Sequence, residues 1–253
     1  MKKYATSRPR LRLWAVLFWL ALWQLGSLAL NQKILLVSPL QVLNRLAQLI
    51  PTVAFWETVR FSFLRIAAGF FLAGFSGVFL AALSARFQRI RELLAPLMLT
   101  IKSVPVASFI ILALLWCSSR NLSVLISFLI VLPVIYHNVL EGISACDPQL
   151  LEMARVFALS PARTVRYIYL PQVLPYFQAA CGASLGLCWK SGVAAEVIGI
   201  PDGSIGERLQ QAKIYLDTPD LFAWTLVVVL LSLGFEKLFL FLLEKLAFWL
   251  ELT

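Results

Sequence analysis

The chain has 253 residues, 60% of them hydrophobic and 14% charged, with a mean hydropathy of +0.84 and a formal net charge of +9. Soluble domains carry nearer a quarter charged residues, so a water-soluble globule is excluded and an integral membrane protein is expected. The basic residues border apolar blocks and do not gather into one patch, which is the pattern of membrane topology and argues against a nucleic-acid partner.

At the N-terminus Lys2, Lys3, Arg8, Arg10 and Arg12 accompany an apolar block at residues 11–30. The order imitates a signal peptide, but the block has the length of a span and no small-residue cleavage site follows it. A retained first span is expected, with its N-terminus in the cytoplasm. Ser38-Pro39 then opens a capped helix in which Leu40, Leu43, Ala47 and Ile50 share a face that Gln41, Asn44, Arg45 and Gln48 do not. This helix is too short and polar to span, so it is expected to lie at the outer interface until Pro51 ends it.

The second span is predicted at 63–85, with Arg65 near its outer end and Arg86, Arg89 and Arg91 marking a cytoplasmic turn after it. A third follows at 93–117, interrupted by Pro96 and Pro105 and carrying Lys102. The fourth, at 121–137, contains Pro133, a kink site near its inner end. The fifth and sixth occupy 173–200 and 221–243, joined by a polar stretch in which Pro201, Gly203 and Gly206 break regular structure. With both ends inside, eleven lysines and arginines fall in the cytoplasm before the C-terminal lysines are counted, against six outside. The positive-inside rule therefore supports this orientation. The expected fold is all-α: one polytopic transmembrane domain over residues 1–253, with six spans.

Between spans four and five lies the longest run that a membrane would not hold, residues 147–171, with Asp147, Glu152, Arg155, Arg163 and Arg166. Asp147-Pro148 and Ser160-Pro161 each pair an N-cap residue with proline at the first helical position. Two short helices folded into a cytoplasmic helix-turn-helix knob are predicted. Leu150, Leu151, Ala154 and Phe157 share the apolar face of the first, and the second stops before Pro171.

Glu152-Met153-Ala154, then Ala158, then Ile168 with Leu170-Pro171, resemble the EAA loop of the membrane subunits of binding-protein-dependent ABC importers. That family's pattern is Glu-Ala-Ala, a glycine four residues on and a distal apolar-Leu-Pro. Here Met153 replaces an alanine and Ala158 replaces the glycine, and alanine meets a positive φ only at a steric cost. Ser38-Pro39-Leu40, the run Arg65 to Phe70 and Val193-Ala194-Ala195-Glu196 extend the resemblance to the nitrate, sulfonate and taurine branch over most of the chain. The resemblance implies a permease in the bacterial inner membrane, paired with a second copy and served by an extracytoplasmic solute-binding protein. It also implies a separate ATPase pair, users of ATP and Mg, that grips Glu152, Met153, Ala154, Arg155, Ala158, Leu159, Ser160, Leu170 and Pro171.

The chain's own chemistry is consistent with that division of labour. It has no P-loop, since Lys190-Ser191 follows Trp189 inside an apolar span, so no bound cofactor is expected. Cys117, Cys146, Cys181 and Cys188 form no metal or disulfide pattern and read as small apolar side chains. Lys190 and Lys102 lie within spans, where an unpaired lysine costs about 2.5–3.5 kcal/mol and usually faces a cavity or partner. They are candidates to line an anion pathway, or else to snorkel or bind a carbonyl. Glu196, about 240° around the helix from Lys190, does not share its face, and the resemblance, whose family carries an acidic residue here, implies packing or gating by Glu196 at the translocation pathway. Gly182 and Gly186, four apart, predict close packing against another helix. Two rival classes remain at this point. Gly74-Phe75-Ser76-Gly77 with His137 resembles a rhomboid-type intramembrane serine protease, and a carrier driven by an ion gradient would need no ATPase.

Overall fold

The structure, a computed structural model, describes residues 13–30 and 36–252. Every regular element among them is helical. The N-terminal basic residues and the start of the first predicted span lie outside the described residues, and α1 (Leu13–Leu30) covers the rest of that span.

Helix α2 (Pro39–Leu49) starts where Ser38-Pro39 predicts. The Ser38 Oγ accepts the Gln41 N–H and the Gln41 side chain accepts the Ser38 N–H, a complete capping box. Its buried Val42 and Leu46 join Phe55, Val59, Ile205 and Trp224 in a core at one end of the molecule, where Phe55 and Trp224 stack at 5.2 Å. The Arg45 guanidinium pairs with Asp220 at 2.9 Å, a half-exposed contact worth at most about 1 kcal/mol.

Helix α3 (Val53–Arg86) is longer than the predicted second span. At 1.5 Å per residue its 34 residues rise about 51 Å, well beyond a hydrocarbon core of about 30 Å. The surplus is the N-terminal turns that pack into the α2 core. The predicted third span is two helices, α4 (Gln88–Ser103) and α5 (Val106–Ala113), bent by 105° at their junction. Pro105 causes the break, because it forces Val104 to an extended ψ of 131° and lacks an N–H for α4 to use. Pro96 is absorbed within α4.

Helix α6 (Ser119–Ser144) is the central post, with α3 on one side and α9 (Leu170–Gly199) on the other. Ile66, Phe70, Val131, Ile135, Leu185 and Trp189 fill the main core between them, and Phe235 of α11 (Thr218–Leu252) closes it. Among the described residues α3, α6 and α11 are long and apolar enough to cross a membrane, and the bent α4/α5 pair makes a fourth. The 30-residue α9, carrying Lys190 and Glu196, falls outside that set. Helices cross tightly at Gly69, where a Cβ would stand 2.5 Å from Val124 O, and at Gly192, where it would stand 2.7 Å from both Ile66 and Ser127. Gly186 has nothing within 4 Å and Gly182 meets only Leu240, so the predicted packing of that pair is not made within the chain.

Candidate functional site: the knob and the helix it feeds

The knob begins with α7 (Pro148–Val156), whose N-cap Asp147 accepts the Gln149 N–H at 2.8 Å. At its far end Ala158 takes φ +48°, the left-handed region. The Leu159 N–H donates to Ala154 O at 2.9 Å and the Ala158 N–H to Arg155 O at 3.1 Å. Those two bonds define a Schellman turn, with Ala158 where glycine is usual. The turn is thus kept without its glycine, at a steric cost of about 1–2 kcal/mol. Restoring the glycine should relieve most of this, so Ala158→Gly is expected to raise the thermal midpoint in detergent, by an amount corresponding to about 1 kcal/mol.

Of the predicted apolar face only Ala154 is buried; Leu150 is 37% exposed and Phe157, which caps the helix, is 73% exposed beside Val156 at 82%. Glu152, Met153 and Arg155 are also exposed. A cleft of about 480 Å3 separates the two arms, between Leu151 and Ala154 on one side and Thr164 and Tyr169 on the other.

The second arm differs from expectation. Helix α8 (Pro161–Thr164) starts after Ser160 but does not stop before Pro171. It passes through one π turn (Val165–Tyr169) directly into α9, with Pro171 in the first turn of α9, where its missing N–H costs least. The wide π turn absorbs the strain of proline while the backbone stays helical. The second arm of the knob and the predicted fifth span therefore form one uninterrupted helical rod from Pro161 to Gly199.

At the far end of that rod Glu196 is completely buried. Its Oε2 accepts the Ser62 hydroxyl at 2.6 Å and the Gly206 N–H at 3.4 Å, while the Ser62 Oγ accepts the Ile205 N–H at 2.9 Å. The carboxylate thus clasps α3 and the N-terminus of α10 (Ile205–Ile214), where helix-dipole charge favours an anion. Ser123 of α6 lies beside it, yet the Ser123 Oγ and the Glu196 Oε1 make no hydrogen bond. Gly206 permits the clasp: a Cβ there would lie 2.3 Å from the Glu196 carbonyl carbon. Nearby, the Arg65 Nε donates to Arg120 O at 2.5 Å with its guanidinium 4.0 Å over the Phe61 ring, tying α3 to the start of α6. Ile200, just beyond the clasp, takes φ +46° before Pro201, a rare conformation for a β-branched residue. The sequence pointed to Glu196 but not to Ser62, Ser123 or Gly206 as its neighbours; Gly206 read only as a breaker.

Lys190 is exposed on another face of α9, in a stripe with Ala179, Ala183 and Leu187, and Lys102 is exposed near the end of α4. His137 is exposed, and its Nδ1 engages Pro133 O of its own helix at 2.8 Å. No hydrogen bond joins it to Ser76 among the described residues, so the protease geometry is absent from the chain as folded.

Comparison with known proteins agrees with this geometry. Residues 73–249 match the family described as the binding-protein-dependent transport system inner membrane component. The putative aliphatic sulfonates transport permease SsuC of Bacillus subtilis is 27% identical, over 91% of this chain and 84% of its own length. The taurine transport system permease TauC of Escherichia coli is 24% identical, over 85% and 80%. The bicarbonate transport system permease CmpB of Synechococcus elongatus is 25% identical, over 57% and 52%. A solved structure titled as an amino acid ABC transporter with histidines superposes with a TM-score of 0.53 at 20% identity, covering 75% of this chain and 89% of that one, which supports the fold. Neither rival class draws support from these relatives. The chain therefore belongs to the binding-protein-dependent transport system inner membrane component family, the membrane permeases of ABC importers.

Proposed function

We propose that the chain is a six-span permease that imports a small anion, such as a sulfonate, taurine or nitrate, by alternating access. In this reading both termini are cytoplasmic, and α1 and α9 join the four apolar spans. A second copy completes the permease, a binding protein delivers solute at the outer mouth, and an ATPase pair, which consumes ATP with Mg, grips the knob.

The observation that carries this reading is the uninterrupted rod from Pro161 to Gly199. It starts beside α7, which the Ala158 turn joins to it and which offers exposed Glu152 and Arg155 with the apolar tip of Val156 and Phe157, a surface suited to a cleft on a soluble partner. Further along, it bears Lys190 on an exposed face of small side chains, which suits a second copy across a path with a cation on its wall. Lys102, beside the 105° break, would add a second cation. Glu196 serves as the outer clasp, holding α9, α3 and α10 in one register while solute passes elsewhere. Two-state rocking of the rods, biased by nucleotide in the ATPases, then opens one side at a time.

The test is ATP-driven uptake by vesicles holding the complex purified through a tag on this chain, with its binding protein added and ion gradients collapsed. Uptake of an alkanesulfonate should persist, and Lys190→Gln should lower it at least about tenfold, as loss of a cation from the pathway wall implies. A chain that purifies alone, or uptake that needs an ion gradient and ignores ATP, would sink the reading.

A further inference from the structure

A groove runs along α3 on the side away from the Glu196 clasp. One part, about 540 Å3, lies between Phe71, Phe75 and Phe79 of α3 and Phe177 and Phe239 of α9 and α11. Its other part, about 500 Å3, continues past Ala85 to Arg86 and is walled by Val139, Ile143, Val165 and Tyr169. Val78 and Ala82 line both, so the two are one channel. From Phe70 to Arg86 it follows about 24 Å of helix.

The wall is apolar until its last turn, where Arg86 stands exposed. No carboxylate among the described residues pairs with it, and its guanidinium lies 6.0 Å from the Phe87 ring. Arg89 and Arg91 follow, while Glu92 is engaged by Gln88 at 3.0 Å. A long apolar slot open on one side and ended by an unpaired cation complements one kind of molecule: acyl chains joined to an anionic headgroup. The slot lies along a span, so its occupant must enter sideways from the bilayer, which excludes soluble ligands. Basic pockets between helices on the cytoplasmic side are suited to anionic lipid headgroups.

We propose that this groove is a binding site for an anionic diacyl phospholipid, its chains between α3, α9 and α11 and its phosphate on Arg86. The assignment rests on the topology above only for the leaflet it names, the cytoplasmic one. Val165, Tyr169 and Leu170 of the knob arm form part of the wall, so the lipid would sit between α3 and the rod.

Native mass spectrometry of the detergent-purified complex tests this with phosphatidylglycerol and phosphatidylcholine of identical chains. The unaltered protein should retain phosphatidylglycerol about fivefold better, roughly what one basic side chain contributes near an anionic surface. Arg86→Gln should erase the preference while leaving chain-dependent retention, and Ala82→Trp should reduce retention of both lipids. Both positions are exposed, so neither change threatens folding. Equal retention of the two lipids by the unaltered protein, or a preference that survives Arg86→Gln, would overturn the site. So would a disulfide formed between two copies through Phe79→Cys, since a second chain would then fill the groove. The adducts are read without transport, so their loss condemns the groove alone and leaves the importer reading standing.

Discussion

Gly206→Ala is expected to abolish stable accumulation of the protein, although it adds a single methyl group. The added carbon would lie 2.3 Å from the Glu196 carbonyl carbon and 2.4 Å from both the Glu196 Cβ and the Val197 nitrogen. These are backbone atoms or atoms fixed to backbone, and no rotamer change can move them. Helix α10 would have to lift from α9, breaking the Gly206 N–H bond to Glu196 and the Ile205 N–H bond to Ser62. The buried carboxylate would keep only the Ser62 hydroxyl as donor while the α9–α10 packing opens, and combined losses of this kind are among the few that cost more than about 4 kcal/mol. The same substitution at Gly234, where nothing lies within 4 Å and the backbone is helical, should be neutral or stabilise by up to about 1 kcal/mol. Size-exclusion yield and thermal midpoints of the two variants, measured side by side, check the contrast. Equal behaviour would mean that α10 does not pack on α9 as described.

Glu152→Ala is expected to leave folding intact and to stop transport. The side chain is exposed and makes no hydrogen bond among the described residues, so the thermal midpoint should shift by less than about 0.5 kcal/mol equivalent. Uptake should fall more than about tenfold, because a charged group seated in a partner's cleft costs about 2–5 kcal/mol when truncated. ATP hydrolysis by the remaining complex should no longer respond to the loaded binding protein. Hydrolysis and uptake measured on the same vesicles decide it, and normal uptake would remove Glu152 from the coupling surface.

Legibility in the sequence followed the range of the forces involved. Caps and turns are local, and so Ser38-Pro39, Asp147-Pro148 and Ser160-Pro161 all begin helices where the sequence puts them. Proline was less decisive. Pro105 breaks a helix because Val104 turns extended with it, whereas Pro171 sits in a first helical turn and breaks nothing. The two differ in what precedes them, since a π turn widens the backbone before Pro171 and no such turn precedes Pro105. Long-range contacts were the least legible. Glu196 stood out as a charge in a span, but Ser62, 134 residues earlier, carries no mark of the bond it makes. Gly182 and Gly186 have the spacing of a packing face, yet the close approaches fall at other glycines, Gly69, Gly192, Gly199 and Gly206 among them. Which glycines meet a neighbour depends on the crossing of helices, and a single helix does not contain that information.

The rod from Pro161 to Gly199 also sets a mechanical gain. A push on Glu152 reaches the rod through the Ala158 turn; from there the helix runs on through the π turn, with Pro171 and Pro175, which lack an N–H, as its points of compliance. Helix α9 alone is about 45 Å long, so tilting it by about 5° at one end sweeps the other through about 4 Å, comparable to the diameter of a sulfonate group. In the proposed importer an angular change of a few degrees at the knob would thus be enough to open or close a passage of solute width. The Glu196 clasp holds the end opposite the knob, and so becomes the fulcrum.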